Sequence, residues 1–598
     1  MGILGCLFYL VHVMGWTRER LVVGGILVAV FGLWVLPILV ATHTRPIPTF
    51  YSELAALLLA NCVLTSAILL HWRRQRHFGV PSSGLAPVGF ALVLFAQLAW
   101  VQDGYAMQWF LAIFFCLAAF LSMQAGFLVS SHRDLRRAIF CATGCGALLV
   151  GLLSSAFASI QALGLEQHFS PFVVSLPPSS GRRLFANLYQ PNHLATVLSL
   201  ASASAVYLAA SRRLGKLLTM ACLAILSIGL VLTGSRTPWV QQFVVSITVI
   251  VFAYCDKRSD ERPFRWQDIV LACAPLATLA MATLLVGCLN DLLSLELGAS
   301  ALSRFGDKSQ MSGRLALWHY AIEIFRKSPL VGVGWGEYGW IQYLLASQYG
   351  PVEIANNAHN IVLDVLAKTG LIGFFVLFTP LSKWMGRNAR LIVRNEEATN
   401  RVYCFAMFAV LGVHAMLEFP QIYAYFLLPI FFLIGLTETK PIKAVSSSLV
   451  VSMLLVCTMG MYLLIVIAFF DYKKAEIAFE GKGSPSYSLI NPPLIYGDWT
   501  RYGLISVMPL NTDLVASKIG LHEDAFRLDV SPLMIRRYII LLALGGRLDE
   551  ALLQVPRLRN LSLQTFPEEF RKLVKMCDQD VPSLFALRRI LLEQYSDQ

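Results

Sequence analysis

Charge is scarce in this sequence, and acidic charge scarcest: Asp and Glu number 36 and Lys and Arg 48 among 598 residues, so 14% are charged. A water-soluble domain has about a quarter of its residues charged. With 57% hydrophobic residues and a mean hydropathy of +0.63, that class is excluded. The 12 cysteines neither cluster nor take metal-ligand spacing; most, including Cys62, Cys116, Cys141, Cys145, Cys222, Cys273 and Cys457, lie inside apolar runs. A disulfide framework and a structural zinc site are therefore excluded, and the cysteines read as small packing residues. A Walker loop is missing too: the run Gly332-Val333-Gly334-Trp335-Gly336 has no Lys-Ser/Thr after it to hold phosphate and Mg²⁺. Its glycines either let backbone approach a ligand closely or make turns. The first sixteen residues lack both a basic start and a small-residue cleavage site, and read as an interfacial or partly inserted segment rather than a signal peptide.

What is abundant is long apolar runs. They recur in blocks of roughly 17–25 residues, the length of helix that crosses about 30 Å of hydrocarbon. About 13 such blocks are predicted as spans, near 21–40, 51–71, 86–101, 107–130, 138–161, 193–210, 216–233, 238–254, 268–289, 360–379, 402–418, 423–437 and 447–470. The net charge of +12 is not a nucleic-acid footprint, because its arginines and lysines occupy every second loop: Arg18 and Arg20, then Arg73–Arg76, Arg133–Arg137, Arg212–Lys216, Lys257–Arg265, Lys383–Arg394 and Lys440–Lys443. Cations stay on the cytoplasmic side. This pattern predicts a cytoplasmic amino terminus, and the odd span number predicts an external carboxyl terminus.

Two outer loops, 162–192 and 290–358, are too long for simple turns, and long loops carry function when they are not linkers. The second, rich in Gly, Ser and aromatics, is expected to fold over the membrane mouth. After residue 470 charges interleave with Leu and Ala at helical spacing, which predicts a soluble helical domain over 471–598. The stretch Ala543–Ala551 resembles a tetratricopeptide-like hairpin; a peptide-binding use and a plain helical cap both fit.

Polar residues gather at predicted outer helix ends. Arg182, Arg183, Asn187, Gln190, Pro191, Asn192 and His193 open the sixth span, either as a helix cap with interfacial anchors or as a binding site. Arg236 sits at a tight turn on the side where cations are disfavoured. It suits phosphate through its rigid fork, or else snorkels to lipid headgroups. Arg314 adds a second outer cation. His359, within Asn356-Asn357-Ala358-His359-Asn360, could take a proton from a hydroxyl near neutral pH, or be structural. His414 and Glu418, four apart, share a helix face and either touch as a structural pair or serve the site, with Tyr423 close behind.

NLYQPNH at 187–193, SRTPW at 235–239, SGRLALWHYAIEIFRKSPLVGVGWGEY at 312–338, NNAHN at 356–360 and HAMLEFPQIYAYF at 414–426 together resemble the bacterial O-antigen ligase and polymerase superfamily. They are most similar to its protein O-oligosaccharyltransferase branch, the pilin glycosylases. The resemblance runs from about 180 to 440 and implies an all-α polytopic membrane protein, a GT-C-like glycosyltransferase. Its parts would be amino-terminal spans over 1–180, a catalytic membrane region over 181–440, a last span over 441–470 and a periplasmic helical domain over 471–598. It further implies transfer of a preassembled oligosaccharide from undecaprenyl diphosphate to Ser or Thr hydroxyls of periplasmic or pilin proteins, in a Gram-negative inner membrane. No metal, cofactor or nucleic acid is implied. His359, Arg314 and Arg236 would be catalytic; Arg182, Gln190, Asn192, His193, Asn357, His414, Glu418 and Tyr423 would meet substrate. The nearest rivals deliver the same donor to the lipid A core or to a growing chain. A transporter would instead place its charges near mid-membrane and show repeated halves, and neither is evident.

Overall fold

The apolar blocks fold as helices. The computed structural model describes residues 18–74, 79–99, 106–176, 183–260, 266–293, 297, 308–443, 447–479, 493–578 and 581–595; the segment 1–16 lies outside them. Their helices are α1 (Arg18–Leu39), α2 (Phe50–Arg74), α3 (Leu85–Gln97), α4 (Ala106–Ser130), α5 (Arg133–Ala162), α6 (Pro191–Ala210), α7 (Lys216–Leu232), α8 (Thr237–Asp260) and α9 (Trp266–Leu293). Then follow α10 (Lys308–Lys327), α11 (Tyr338–Tyr349), α12 (Ile361–Val393), α13 (Ala398–Ala415), α14 (Ala424–Leu436) and α15 (Ser447–Phe479). The tail holds α16 (Gly497–Val507), α17 (Val515–Leu528), α18 (Pro532–Leu544), α19 (Leu548–Leu561), α20 (Phe566–Met576) and α21 (Pro582–Tyr595).

The protein is thus all-α and multi-pass, with a helical carboxyl-terminal region, but the predicted span number is corrected. A helix falls on each predicted block, yet among the described residues only 9 are long and apolar enough to cross a membrane. α3 and α14 have 13 residues each and α7 has 17, which at 1.5 Å per residue gives about 20–25 Å against some 30 Å of hydrocarbon. α13 opens on Thr399, Asn400 and Arg401 and ends by His414, so its apolarity falls short. Hydropathy registers an apolar run but not the residue at which the helix stops.

The chain divides into two compact units. The first comprises 1–89, 115–307 and 376–466. Here α6 is central, packed against α5, α7, α8 and α13, while α14 packs on α1, α2 and α13. Small residues make the close approaches: a Cβ on Gly151 would lie 2.2 Å from Ala201 Cβ, and one on Gly435 only 1.9 Å from the carbonyl oxygen of Met123. Without a hydrophobic drive between helices in lipid, such backbone proximity and van der Waals packing carry association. The strands β1 (Gly79–Pro81) and β2 (Pro441–Lys443) pair antiparallel, with Gly79 opposite Lys443. Beside them Arg387 forms an ion pair with Glu438 at 2.8 Å.

The second unit comprises 90–114, 308–375 and 467–598. Its core joins α10 and α11 to the tail helices. α18 lies centrally among α16, α17, α19, α20 and α21, and α11 packs on α17 and α19. The rings of Tyr343 and Phe526 stack at 4.9 Å, Trp340 stacks on Tyr343 at 5.6 Å, and Phe526 meets Tyr538 edge-on at 5.2 Å. Ser531 caps α18 by accepting the Met534 N–H at 3.3 Å.

Candidate functional site

The candidate residues divide between the two units. In the first, Pro191 occupies the first turn of α6, where its missing N–H costs nothing, and Gln190 precedes it in extended backbone. The segment leading in is held rigidly. Buried Gln161 donates to the carbonyls of Val174 (2.8 Å) and Ala186 (2.9 Å) and accepts the Ala186 N–H at 2.9 Å. Asn187 donates to Leu39 O (3.0 Å) and Phe172 O (2.8 Å) and accepts from Val174 N at 3.1 Å. Ala186 and Tyr189 both take positive φ, 50° and 57°. Such strain persists only where surroundings over-determine it, and these six bonds do so.

That clamp aims a polar cluster. Glu418 accepts from Asn192 Nδ2 at 2.8 Å and lies 3.5 Å from Gln190 Nε2, while Arg183 donates to Asn192 Oδ1 at 3.0 Å and to Thr233 O at 3.2 Å. The deeper ring of residues is aromatic and imidazole. His193 Nδ1 bonds Tyr425 OH at 2.7 Å, and its ring lies 4.5 Å from that of Tyr423 and 5.5 Å from that of His414. His414 Nδ1 bonds Thr196 Oγ1 at 2.8 Å, and Gln241 donates to the same hydroxyl at 3.0 Å. His193 and His414 are both buried. Six predicted residues, Gln190, Asn192, His193, His414, Glu418 and Tyr423, are thereby brought together. Although 228 residues separate Gln190 from Glu418, helices α6 and α13 lie side by side. Arg236 stands half-buried at the turn between α7 and α8, beside Ser235, whose N–H donates to Thr233 Oγ1. Arg182 lies outside the described residues.

Sequence reasoning missed Glu53. This half-buried side chain in the first turn of α2 accepts the Ala424 N–H directly after Tyr423, and so fixes the start of α14. An acidic residue at the mouth of an apolar span was the available signal. Arg183, rather than its neighbour Arg182, makes the described contacts.

In the second unit His359 sits on a turn at positive φ, 52°, an uncommon backbone for a residue with a side chain. α12 holds this turn through a buried i,i+4 ion pair: Lys368 Nζ lies 3.1 Å from Asp364 Oδ2, and both side chains are almost fully enclosed. Asp364 Oδ1 accepts the Ala358 N–H at 2.9 Å, and Lys368 donates to Asn357 Oδ1 at 2.6 Å. Asn360 caps α12 by accepting from Val362 N and Leu363 N. The ammonium also lies 4.8 Å from the centre of the Trp335 ring, a cation–π contact. The two residues before His359 are therefore pinned to buried charges, and Asn360 after it to the first turn of α12. Tyr338, beneath the same group, has its phenol pushed well above the ordinary range by burial and by the Asp364 carboxylate.

The glycine run meets backbone. A Cβ on Gly332 would fall 2.2 Å from the Lys368 carbonyl carbon, and one on Gly370 2.3 Å from Leu330 C. Val333 N and Gly334 N donate to Ala367 O and Lys368 O. Gly370, at φ 64°, breaks α12 there. The run's glycines thus make turns and a close approach to the backbone of α12. Arg314 is half-buried on α10. Among the described residues no group of three His, Cys, Asp or Glu side chains is placed to hold a metal ion.

Fold and residues together define a polytopic membrane protein with clustered polar groups at its helix ends. The family model of O-antigen ligase matches residues 221–378, and that of the carboxyl-terminal part of a virulence factor membrane-bound polymerase matches residues 402–578. The chain is 26% identical over 422 residues to a general O-oligosaccharyltransferase of Acinetobacter baylyi, covering 69% of each chain. It is 26% identical over 359 residues to a ComP-specific O-oligosaccharyltransferase of the same organism, covering 59% of this chain and 60% of that one. An exopolysaccharide production protein, ExoQ, of Rhizobium meliloti is 33% identical over 124 residues, 20% of this chain and 28% of its own. Over most of its length the chain is thus similar to enzymes of the O-antigen ligase and oligosaccharyltransferase superfamily.

Proposed function

We propose that this enzyme glycosylates proteins, moving a preassembled oligosaccharide from undecaprenyl diphosphate to Ser or Thr hydroxyls of periplasmic or pilin-like acceptors. The observation that carries the reading is the His359 turn: an imidazole on strained backbone, pinned at both flanking residues, is preorganised in the way a general base requires. In the reaction the acceptor oxygen attacks the anomeric carbon, its proton passes to His359, and the bond from that carbon to the phosphate oxygen breaks. The sugar then inverts and the lipid diphosphate leaves. Arg236 and Arg314 neutralise the charge gathering on the diphosphate, and fixed cations are most effective when already in place. Gln190, Asn192, Glu418 and Tyr423 offer hydrogen bonds to donor or acceptor, as do Asn357 and Arg182. His193 and His414, buried and bonded, hold the α6, α13 and α14 ends in shape. The side on which this occurs is the periplasmic one by the distribution of basic loops.

Support for a protein acceptor comes from the two relatives named O-oligosaccharyltransferases, one aligned over 69% of the chain. The matched O-antigen ligase and polymerase models favour a second reading, delivery of the same donor to the lipid A core or to another lipid-linked glycan. Purified enzyme given an undecaprenyl-diphosphate-linked oligosaccharide with both a pilin-like protein and lipid A core separates them. Glycan on the protein supports the first reading, and glycan on the core the second.

A further inference from the structure

The turn that carries His359 is held from α12 at Asn357 and Ala358, but its first residue points elsewhere. Asn356 Nδ2 donates to Asp529 Oδ1 at 3.1 Å, and Asp529 follows directly on tail helix α17. Asp529 is itself fixed within the tail. Its other oxygen accepts from Tyr502 OH at 3.4 Å, and that hydroxyl pairs at 2.9 Å with Ser531 Oγ, the cap of α18. Both hydroxyl partners thus tie Asp529 to the helix at the centre of the unit. The segment before the turn is bound to the tail as well: Val352 N donates to Asn560 O at 2.9 Å, Asn560 Nδ2 to Ala346 O at 2.8 Å, and Tyr343 OH to Gln554 Oε1 at 2.6 Å. A helical cap needs only apolar contact with what it covers. Here polar bonds run along the segment, and the last one ends three residues from His359.

We propose that Asp529 is a positioning residue for His359, so that the tail helices α16–α21 are part of the catalytic apparatus and set the geometry of the base through Asn356. The proposal rests on the assignment of His359 as the base. It gives the tail a task that neither apolar capping nor acceptor binding supplies, and it predicts that loosening one carboxylate in the tail alters turnover rather than donor affinity.

Two perturbations act on the same bond from opposite ends. Asp529→Ala removes the acceptor, whereas Asp529→Asn keeps an oxygen for the Asn356 amide. Gly339→Ala leaves both partners intact but places a methyl 2.2 Å from Asn356 Oδ1, which must swing away. The test uses the full-length protein with undecaprenyl-diphosphate-linked oligosaccharide and a pilin-like acceptor, together with amide hydrogen exchange over residues 354–361. Asp529→Ala and Gly339→Ala should speed exchange of the turn and lower kcat about tenfold, since small misplacements of a catalytic group are costly, with the donor KM within about twofold. Asp529→Asn should restore most of both. Unchanged exchange in Asp529→Ala and Gly339→Ala would overturn the proposal whatever transfer does. Faster exchange with full kcat would overturn it while leaving the transferase assignment standing. Full transfer by His359→Ala would overturn the base assignment, and with it the catalytic meaning of the coupling.

Discussion

Replacing Lys368 by Met should free the His359 turn by stranding a charge. In the native protein Lys368 and Asp364 are both buried, 3.1 Å apart, and between them they hold Asn357 and the Ala358 N–H. Met fills the space of the lysine stem but leaves the Asp364 carboxylate enclosed without its counter-charge. Breaking a buried pair from one side costs about 3–5 kcal/mol. At about 1.4 kcal/mol per factor of ten, this is roughly two to three and a half orders of magnitude in the population of the closed turn. Amide exchange over residues 354–361 should lose that much protection, and transfer should fall with it while the amides of α18 keep theirs. The double change Asp364→Asn with Lys368→Met removes both charges and retains an oxygen for Ala358 N–H, so it should recover most of the protection. Replacing a whole buried pair by neutral groups is often close to neutral. Native-like exchange in Lys368→Met, or a double variant no better than the single one, would refute the reasoning.

Gln161→Leu should detach both sides of Ala186 and leave buried backbone groups without partners, at about 1–3 kcal/mol each; a raised donor KM and faster proteolysis within 172–190 would show it. Gly435→Ala should destabilise the α4–α14 contact, because its methyl meets backbone at 1.9 Å with no room to yield; a lower melting temperature in detergent is the readout. His522 is buried, donates from Nδ1 to Lys518 O at 2.8 Å, and has its pKa held down at about 4 by burial and by the nearby Arg537 charge. The unfolded chain therefore binds the proton first, and the tail should lose about 3 kcal/mol of stability as pH falls from 6.5 to 4. His522→Phe should flatten that pH dependence, as followed by tail proteolysis.

Much of this was legible in the sequence, because transmembrane helices are composition made visible. The apolar blocks marked every span position, yet they overstated the span number, since α3 and α14 stop after 13 residues and a hydropathy window averages over such helix ends. NLYQPNH and HAMLEFP stood out as polar density at helix ends, and they meet. What joins them, Glu418 to Asn192 across 226 residues, depends on helix order in the bundle, which periodicity does not encode. Asp364 and Lys368 were visible as an i,i+4 pair within an apolar run and passed unremarked. Glu53 was marked only as an acidic residue at the mouth of an apolar span, and its backbone partner lies far away in sequence; Asp529 acts through an equally distant amide, and nothing local marked it.

The most direct test of the central claim is transfer itself. Purified full-length protein and its His359→Ala variant, at matched amounts and equal melting temperature, are given undecaprenyl-diphosphate-linked oligosaccharide, a pilin-like protein and lipid A core, and both acceptors are analysed by mass spectrometry. The account predicts glycan on Ser or Thr of the protein with the intact chain, and at least a hundredfold less with the variant, the scale of general-base catalysis. Glycan appearing on the core alone, or equal transfer by both chains, would contradict it.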